Sequence, residues 1–391
     1  MIHYTPFLPE ATTDPYPLYR RLLEESPVHY IEEYDGWAIT RFADVWAALE
    51  DSETFGTTGG STAAQALSKV EPPVPSINQI DPPDHTRLRR VIKGTFTRNH
   101  VASFEPEVRS LAVERIERGI ETGRLDVVRE LADPIAGQIA CRLLDLPPED
   151  GPLLTAWVHR YVQNDPEDGG RSNDALTASM EMNQYLADFA GAWRKKPARA
   201  GALVEAFLDF EIGGRKLSDL EVASHLQTIV IGGTDTTPKA VGAAALRLHQ
   251  HPDQRARLAG DPSRIPAGFQ EVLRYDMPTQ FMARTVMRPT EVQGQKLEPG
   301  QGVLMMLAAA NRDPREFPDP DRFDVDRNAR RILSFGHAVH ICIGAHVARL
   351  EGRVLLEELL QRAPDYGLDE AELEWRRADQ IQGIISAPVT F

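Results

Sequence analysis

One cysteine sits where this sequence passes from a loop into a helix, and it is the residue best placed to do chemistry. In Phe335-Gly336-His337-Ala338-Val339-His340-Ile341-Cys342-Ile343-Gly344, Cys342 follows a run of small, aromatic and basic residues. The spacing of Ile343, Val347, Leu350 and Val354 predicts a helix starting beside it. A sulfur at a helix N-terminus meets unpaired backbone N–H groups and the positive end of the helix dipole, and both favour the thiolate. Such a thiolate suits a nucleophile, with His340 as its base, or the single axial ligand of a haem iron. The only other cysteine, Cys141, lies in the apolar helical run Ile139-Ala140-Cys141-Arg142-Leu143-Leu144 and reads as a buried structural thiol. Two cysteines exclude zinc and iron–sulfur sites built from four within one chain.

A second constellation is Ile231-Gly232-Gly233-Thr234-Asp235-Thr236-Thr237-Pro238. It falls inside a helix predicted over 218–250, opened by the capping box Ser218-Asp219-Leu220-Glu221. Interior glycine costs ~1 kcal/mol against alanine and interior proline ~3 kcal/mol. Pro238 also has no N–H for the carbonyl of Thr234, so a groove or bulge is expected in this turn. Asp235 and Thr236, an acid beside a hydroxyl, suit proton delivery in a buried cavity. A third constellation is Glu271-Val272-Leu273-Arg274, an acid and a base stacked one turn apart. The proline-rich loop from Phe317 to Phe323, after Asn311-Arg312-Asp313-Pro314, needs side chains to hold it, and Arg322 is expected to reach the Glu271–Arg274 pair.

The elements that must position these residues are mostly helical. Periodicity predicts helices over roughly 101–122, 131–145, 175–195 and 218–250. Strands are expected at Val28–Ile31, Trp37–Thr40, Glu291–Val292, Val303–Leu307 and Ile384–Val389. The fold class is therefore mainly α with a smaller β portion. Because the β segments come from both ends of the chain, one integrated domain over 1–391 is expected. The 391 residues are 42% hydrophobic, enough for a sizeable core. No apolar run approaches the ~20 residues needed to span a bilayer, and no signal peptide is evident. A reducing cytoplasm is the expected compartment. A formal charge of -15 argues against nucleic acid as a partner. Against that background His85 to Phe104 holds five basic residues, Arg87, Arg89, Arg90, Lys93 and Arg98, and no acid, which predicts a local positive patch.

Together these segments resemble the cytochrome P450 family, the haem-thiolate monooxygenases, in its soluble bacterial form. The resemblance covers nearly the whole chain. It rests on four motifs in the family's order: Asp81-Pro82-Pro83-Asp84-His85-Thr86-Arg87-Leu88-Arg89, Gly232-Gly233-Thr234-Asp235-Thr236, Glu271-x-x-Arg274, and the Phe335 to Gly344 loop. It implies a cytochrome P450-like fold holding haem b, with Cys342 as the axial thiolate on iron. Phe335 would pack by the sulfur, and backbone N–H groups from Cys342 to Gly344 would tune it. His85, Arg89, Arg284 and His340 would hold the haem propionates. Asp235 and Thr236 would deliver protons during oxygen activation, and Glu271, Arg274 and Arg322 would form a structural ion network. Ala338 departs from the family, which usually has glycine there, and a turn of positive φ is uncomfortable for alanine. Pro238 is not a family-wide feature either.

The resemblance also implies a reaction: insertion of one oxygen atom from O2 into an organic substrate, with electrons from an external ferredoxin and its reductase. Pocket walls would come from Ile77 to Ile80, the segment about 155–185, Thr228 to Gly232 including Ile231, Thr279, Gln280, Phe281 and Met282, and Gln382 to Ile385 including Ile384. That lining fits a neutral, medium-sized apolar molecule such as a terpenoid, an aromatic or a steroid. A monomer without a membrane partner is expected. Two rivals are a haem-thiolate peroxygenase or nitric oxide-type reductase, and a non-enzymatic haem ligand-binding protein. The intact Asp235-Thr236 pair argues against the first, and the absence of an output domain against the second.

Overall fold

The computed structural model describes residues 2–70, 74–163, 172–196 and 203–391. Its backbone groups into two compact units, each assembled from segments far apart in sequence. One unit comprises 1–83, 270–342 and 376–383; the other comprises 84–269, 343–375 and 384–391. Neither can be removed by a single cut, in keeping with β segments drawn from both ends of the chain.

The first unit is built on a five-stranded sheet. Its strands are β1 (Val28–Ile31), β2 (Gly36–Ile39), β3 (Phe55–Gly56), β4 (Met282–Val286) and β5 (Gly302–Met305), in the order β1-β2-β5-β4-β3. The β2–β5 pair is parallel, with Gly36 opposite Gly302, and the other neighbours are antiparallel. Val303, Leu304 and Met305 are fully buried, so β5 is covered on both faces. Gly302 is required there, because a Cβ on it would lie 2.4 Å from the carbonyl oxygen of Ala66.

The second unit is helical: α1 (Asp84–Ile92), α2 (Glu105–Thr122), α3 (Asp133–Leu143), α4 (Gly151–Tyr161), α5 (Asn173–Arg194), α6 (Asp219–Gln250), the first turn of α7 (Ile265–Tyr275), whose residues from 270 on belong to the first unit, and α8 (Ala345–Arg362). At its centre α6 packs against α3, α4, α5 and α8. Its capping box forms as predicted: the Ser218 hydroxyl accepts from the Glu221 N–H at 3.3 Å, and the Glu221 carboxylate accepts from the Ser218 N–H at 2.8 Å. The 32 residues of α6 span ~48 Å at 1.5 Å each.

Three expectations change, and a fourth is only partly covered. The helix holds its form through Pro238 instead of bulging. Two hydroxyls serve its middle, Thr234 donating to the Val230 carbonyl at 2.9 Å and Thr236 to that of Gly232 at 2.8 Å. The predicted strand 384–389 is two strands, Gly383–Ser386 and Pro388–Thr390, broken where the Ala387 N–H turns to Asp126 at 3.0 Å. The helix after Cys342 begins at Ala345, with Gly344 as its cap, so Ile343 lies outside it. The pocket-wall segment 155–185 lies partly outside the described residues.

Within the second unit α8 is fixed by close packing and charge. Arg109 of α2 bridges Glu105, Glu357 and Glu358, and Arg353 joins Glu105 and Glu357. A Cβ at Gly352 would lie 2.1 Å from the ring of Phe269, which is 2% exposed. Gly352→Ala should therefore destabilise the protein. It gains ~1 kcal/mol of helix propensity but incurs about 1–3 kcal/mol of overpacking. Thermal unfolding of the variant should come at a lower temperature than that of the parent; an equal or higher midpoint would refute this.

Candidate active site

The first unit contributes the thiol loop and its supports. Cys342 is exposed, and so are its neighbours Val339 (37%) and Ile341 (45%). The loop closes on itself: the Cys342 N–H donates to the Phe335 carbonyl at 2.7 Å, the Ile341 N–H to Ala338 at 3.1 Å and the Gly336 N–H to Leu333 at 2.8 Å. Gly336 takes φ 66° and Ala338 φ 56°, both left-handed. The positive φ expected at 338 is thus present, on a residue whose Cβ makes it cost ~1–2 kcal/mol. Sequence reasoning missed His337. Its ring stacks on Trp46 at 3.5 Å, and its Nε2 meets the Glu50 carboxylate at 2.8 Å, tying the loop to helix Phe42–Glu50.

Beneath the loop lies a buried ion network. The Glu271 carboxylate accepts from Nε and Nη2 of Arg274 at 2.7 Å each, with both side chains at most 1% exposed. Arg274 also donates to the carbonyls of Asn311 and Pro320 at 2.9 Å. Asn311 carries the support on. Its side chain accepts from the Leu333 N–H at 2.8 Å and donates to the Ser334 hydroxyl at 2.9 Å, the two residues just before Phe335.

The third member of the network is Arg327, not Arg322. Arg327 Nε donates to Glu271 at 3.1 Å with its side chain 12% exposed, whereas that of Arg322 is 68% exposed and approaches only Asp324, at 3.5 Å. The loop curls around Arg327, which holds the carbonyls of Asp319 and Arg322 at 3.0 and 2.8 Å. The curl thus uses the backbone of Arg322 and turns its side chain to solvent.

Arg284, on β4, is 4% exposed. Burial lowers its pKa to about 10, with the charge of Asp81 opposing the shift. Its hydrogen-bond partner among the described residues is the Ala283 carbonyl at 2.7 Å. A buried guanidinium bonded to one carbonyl retains donors for an anion. Asp81 is itself clamped, accepting from the N–H and hydroxyl of Thr57 at 2.7 and 2.8 Å and from the Thr58 N–H at 3.1 Å.

The second unit contributes α1 and α6. His85 is buried and Arg89 half-buried, one turn apart and so on one face of α1. On α6, Thr228, Ile229, Ile231, Gly232, Gly233 and Thr236 keep exposure along an otherwise buried stretch, and a Cβ on Gly232 or Gly233 would meet nothing within 4 Å. Thr236 stands on this open face; Asp235 does not. It is 1% exposed and paired with Lys239, one turn on, which is also buried.

Of the expected pocket residues, Thr228, Ile231, Gly232 and Thr279 are accessible, whereas Gln280, Phe281 and Ile384 are buried. The Gln280 amide closes a turn onto the carbonyls of Met277 and Pro278 at 2.7 and 3.3 Å. Phe281 belongs to the core of the first unit, and Ile384 packs against Gly242 of α6. Cys141 is the buried thiol expected, its pKa pushed up by burial to about 12.

The family model described as Cytochrome P450 matches residues 265–363. Cytochrome P450 130 of Mycobacterium tuberculosis is 34% identical, over 97% of this chain and 95% of that protein. The chain belongs to the cytochrome P450 family. Vitamin D(3) 25-hydroxylase of Pseudonocardia autotrophica is 35% identical over 97% of this chain and 94% of its own. A mutant of P450 EryK in complex with erythromycin B superposes with a TM-score of 0.86 at 31% identity, covering 96% of this chain and 95% of that one. This P450 has the mainly α, single-domain fold of its relatives and is an oxidoreductase of the monooxygenase type. The family implies haem b and O2, and the residues present fit the haem. An exposed thiol between exposed apolar side chains offers a ligand and an apolar face, and the buried Arg284 suits a carboxylate.

The ion network yields a test. Arg327→Ala should cost about 1–3 kcal/mol by leaving a charged, buried acceptor short of a donor, while Arg322→Ala should stay within ~0.5 kcal/mol. Urea unfolding of the two variants separates them, and equal losses would mean that both side chains serve the network.

Proposed function

We propose that the whole chain, 1–391, is one haem domain that oxygenates a neutral, medium-sized apolar substrate with electrons from a ferredoxin and its reductase, in the cytoplasm and as a monomer. The observation that carries this reading is the Cys342 loop, an exposed thiol whose closed turn is braced through Asn311 by a buried ion pair. Cys342 would ligate the iron, with Phe335 and Gly344 beside it, and His85, Arg89, Arg284 and His340 would hold the propionates. When bound, the haem supplies dioxygen activation and oxygen-atom insertion. The protein supplies binding, orientation and protons. Thr236 donates its one hydroxyl proton to the Gly232 carbonyl at 2.8 Å and keeps its lone pairs to accept; turning that O–H away from the carbonyl would pass a proton to the open face of α6, with Asp235 behind it.

Thr228, Ile231 and Gly232, the exposed part of that face before Thr236, carry no charge, which supports an apolar substrate. A relative that is a vitamin D(3) 25-hydroxylase and a similar structure in complex with erythromycin B support a substrate of at least medium size. Among the described residues no helix is long and apolar enough to cross a membrane.

The ferredoxin reading rests on charge. Arg90, Lys93 and Arg98 are exposed and make no ion pair with the described residues. Arg87 is used internally, paired with Asp84 at 2.7 Å and lying over the Phe210 ring. Burial lowers the pKa of His346, and the charges of Arg349 and Arg98 add to the shift, so these cations gather on the same unit.

Two measurements test the proposal. Cys342→His should keep haem but move the Soret band of the reduced, carbon monoxide-bound form to the position of imidazole-ligated haem, and a retained thiolate spectrum would sink the assignment. Reversing Arg90 and Lys93 to Glu should lower ferredoxin-supported turnover about tenfold at low salt and flatten its salt dependence. The carbonyl spectrum should stay normal; unaltered turnover would move the partner elsewhere.

A further inference from the structure

The ion network beneath the thiol loop fixes the start of that loop, at Leu333 and Ser334, and leaves its middle to another anchor. The middle is where the backbone is least at ease. Ala338 takes φ 56°, a left-handed turn in which the methyl group of alanine crowds the following carbonyl. Alanine there is biased about tenfold toward leaving the turn, a bias that glycine lacks. The turn nevertheless closes, with the Ile341 N–H on the Ala338 carbonyl at 3.1 Å and the Cys342 N–H on that of Phe335 at 2.7 Å.

The residue before Ala338 supplies the anchor. His337 lays its ring on Trp46, with centroids 3.5 Å apart and planes 28° from parallel, and donates from Nε2 to the Glu50 carboxylate at 2.8 Å. Trp46 is itself held. Its indole N–H donates to the same carboxylate at 3.1 Å, its ring stacks on Phe42 at 5.6 Å, and the Arg331 guanidinium lies over it at 4.5 Å. Phe42 is 1% exposed, and its N–H donates to the buried carboxylate of Asp313 at 2.9 Å. A continuous path of contacts thus runs from the core of the first unit, through Phe42 and Trp46, to the residue next to Ala338. The Glu50 side chain is 56% exposed, so its bond to His337 is weak and the stacked ring is the main tie.

We infer that His337 is a positioning residue for the thiolate: its ring, stacked on Trp46, holds the strained turn at Ala338 and with it the backbone that presents Cys342. This rests on the reading of Cys342 as the iron ligand. Such a residue is needed only while position 338 carries a Cβ. Glycine at 338 closes the same turn without strain, and the ring then has little left to hold.

The test compares His337→Ala and His337→Phe with the parent, each with and without Ala338→Gly. Two readouts are taken on the holoenzyme, and neither depends on turnover. One is deuterium exchange at the amides of Ile341 and Cys342. The other is the rate at which the thiolate Soret band of the reduced, carbon monoxide-bound form gives way to that of the protonated thiol. His337→Ala should speed both about tenfold. His337→Phe, which keeps the ring, should speed them by no more than about twofold. In the Ala338→Gly background His337→Ala should change neither by more than about twofold, the non-additivity of two neighbours acting on one turn. If His337→Ala does not fold, His337→Gln, which keeps a donor but no ring, takes its place with the same expected outcome. Parental rates in the ringless variant overturn the inference. An equal loss in both backgrounds also overturns it, because His337 would then be a packing residue only. A parent without the thiolate band sinks the Cys342 reading instead, and the exchange rates then decide the role of His337 alone.

Discussion

Glu271 and Arg274 cannot be moved independently of the thiol loop. Their carboxylate and guanidinium are shut away from water and meet through two bonds of 2.7 Å. Losing either partner from such a pair costs about 3–5 kcal/mol, because the other charge is left uncompensated. That penalty enforces position. Every remaining donor and acceptor of the pair must be met, and the groups that meet them are the Asp324 N–H, Arg327 and the carbonyls of Asn311 and Pro320. Through the side chain of Asn311 the constraint passes to Leu333 and Ser334, and so to the start of the loop that ends in Cys342.

The same loop carries strain as well as support. Ala338 sits left-handed at φ 56°, and its neighbour His337 stacks on Trp46 and bonds to Glu50, one turn apart on the same helix. A residue in that conformation persists only where its surroundings over-determine it. Here those surroundings are three backbone bonds within the loop and one stacked ring. In the second unit the glycines and proline of α6 lower its helix propensity, yet the helix continues unbroken from Asp219 to Gln250.

Much of this is legible in the sequence, for identifiable reasons. Cys342 is legible because a thiol between a glycine-rich loop and an apolar helical pattern has few roles. Glu271 and Arg274 are legible because a three-residue step stacks them on one helix, and Ser218 and Glu221 because a capping box is local. The members of networks closed by loops are not. Two arginines stand five apart in the loop over Glu271, and only the curl of its backbone decides that Arg327 turns inward. The burial of Gln280, Phe281 and Ile384 is not legible, because exposure is a property of packing, which no local pattern encodes. Lys239 is the instructive omission: its four-residue spacing from Asp235 was a sufficient signal, masked by the expectation that Pro238 would break the turn between them.

The chain's two cysteines differ in their access to solvent. Cys141 is sealed in the core, with burial holding its sulfur protonated, whereas the Cys342 sulfur is exposed in the protein taken alone. An alkylating reagent applied to the folded polypeptide would therefore mark one position per molecule, and that position is the one the prosthetic group would cover. Label stoichiometry becomes a direct count of cofactor-free molecules, read without a spectrum and without knowing the substrate.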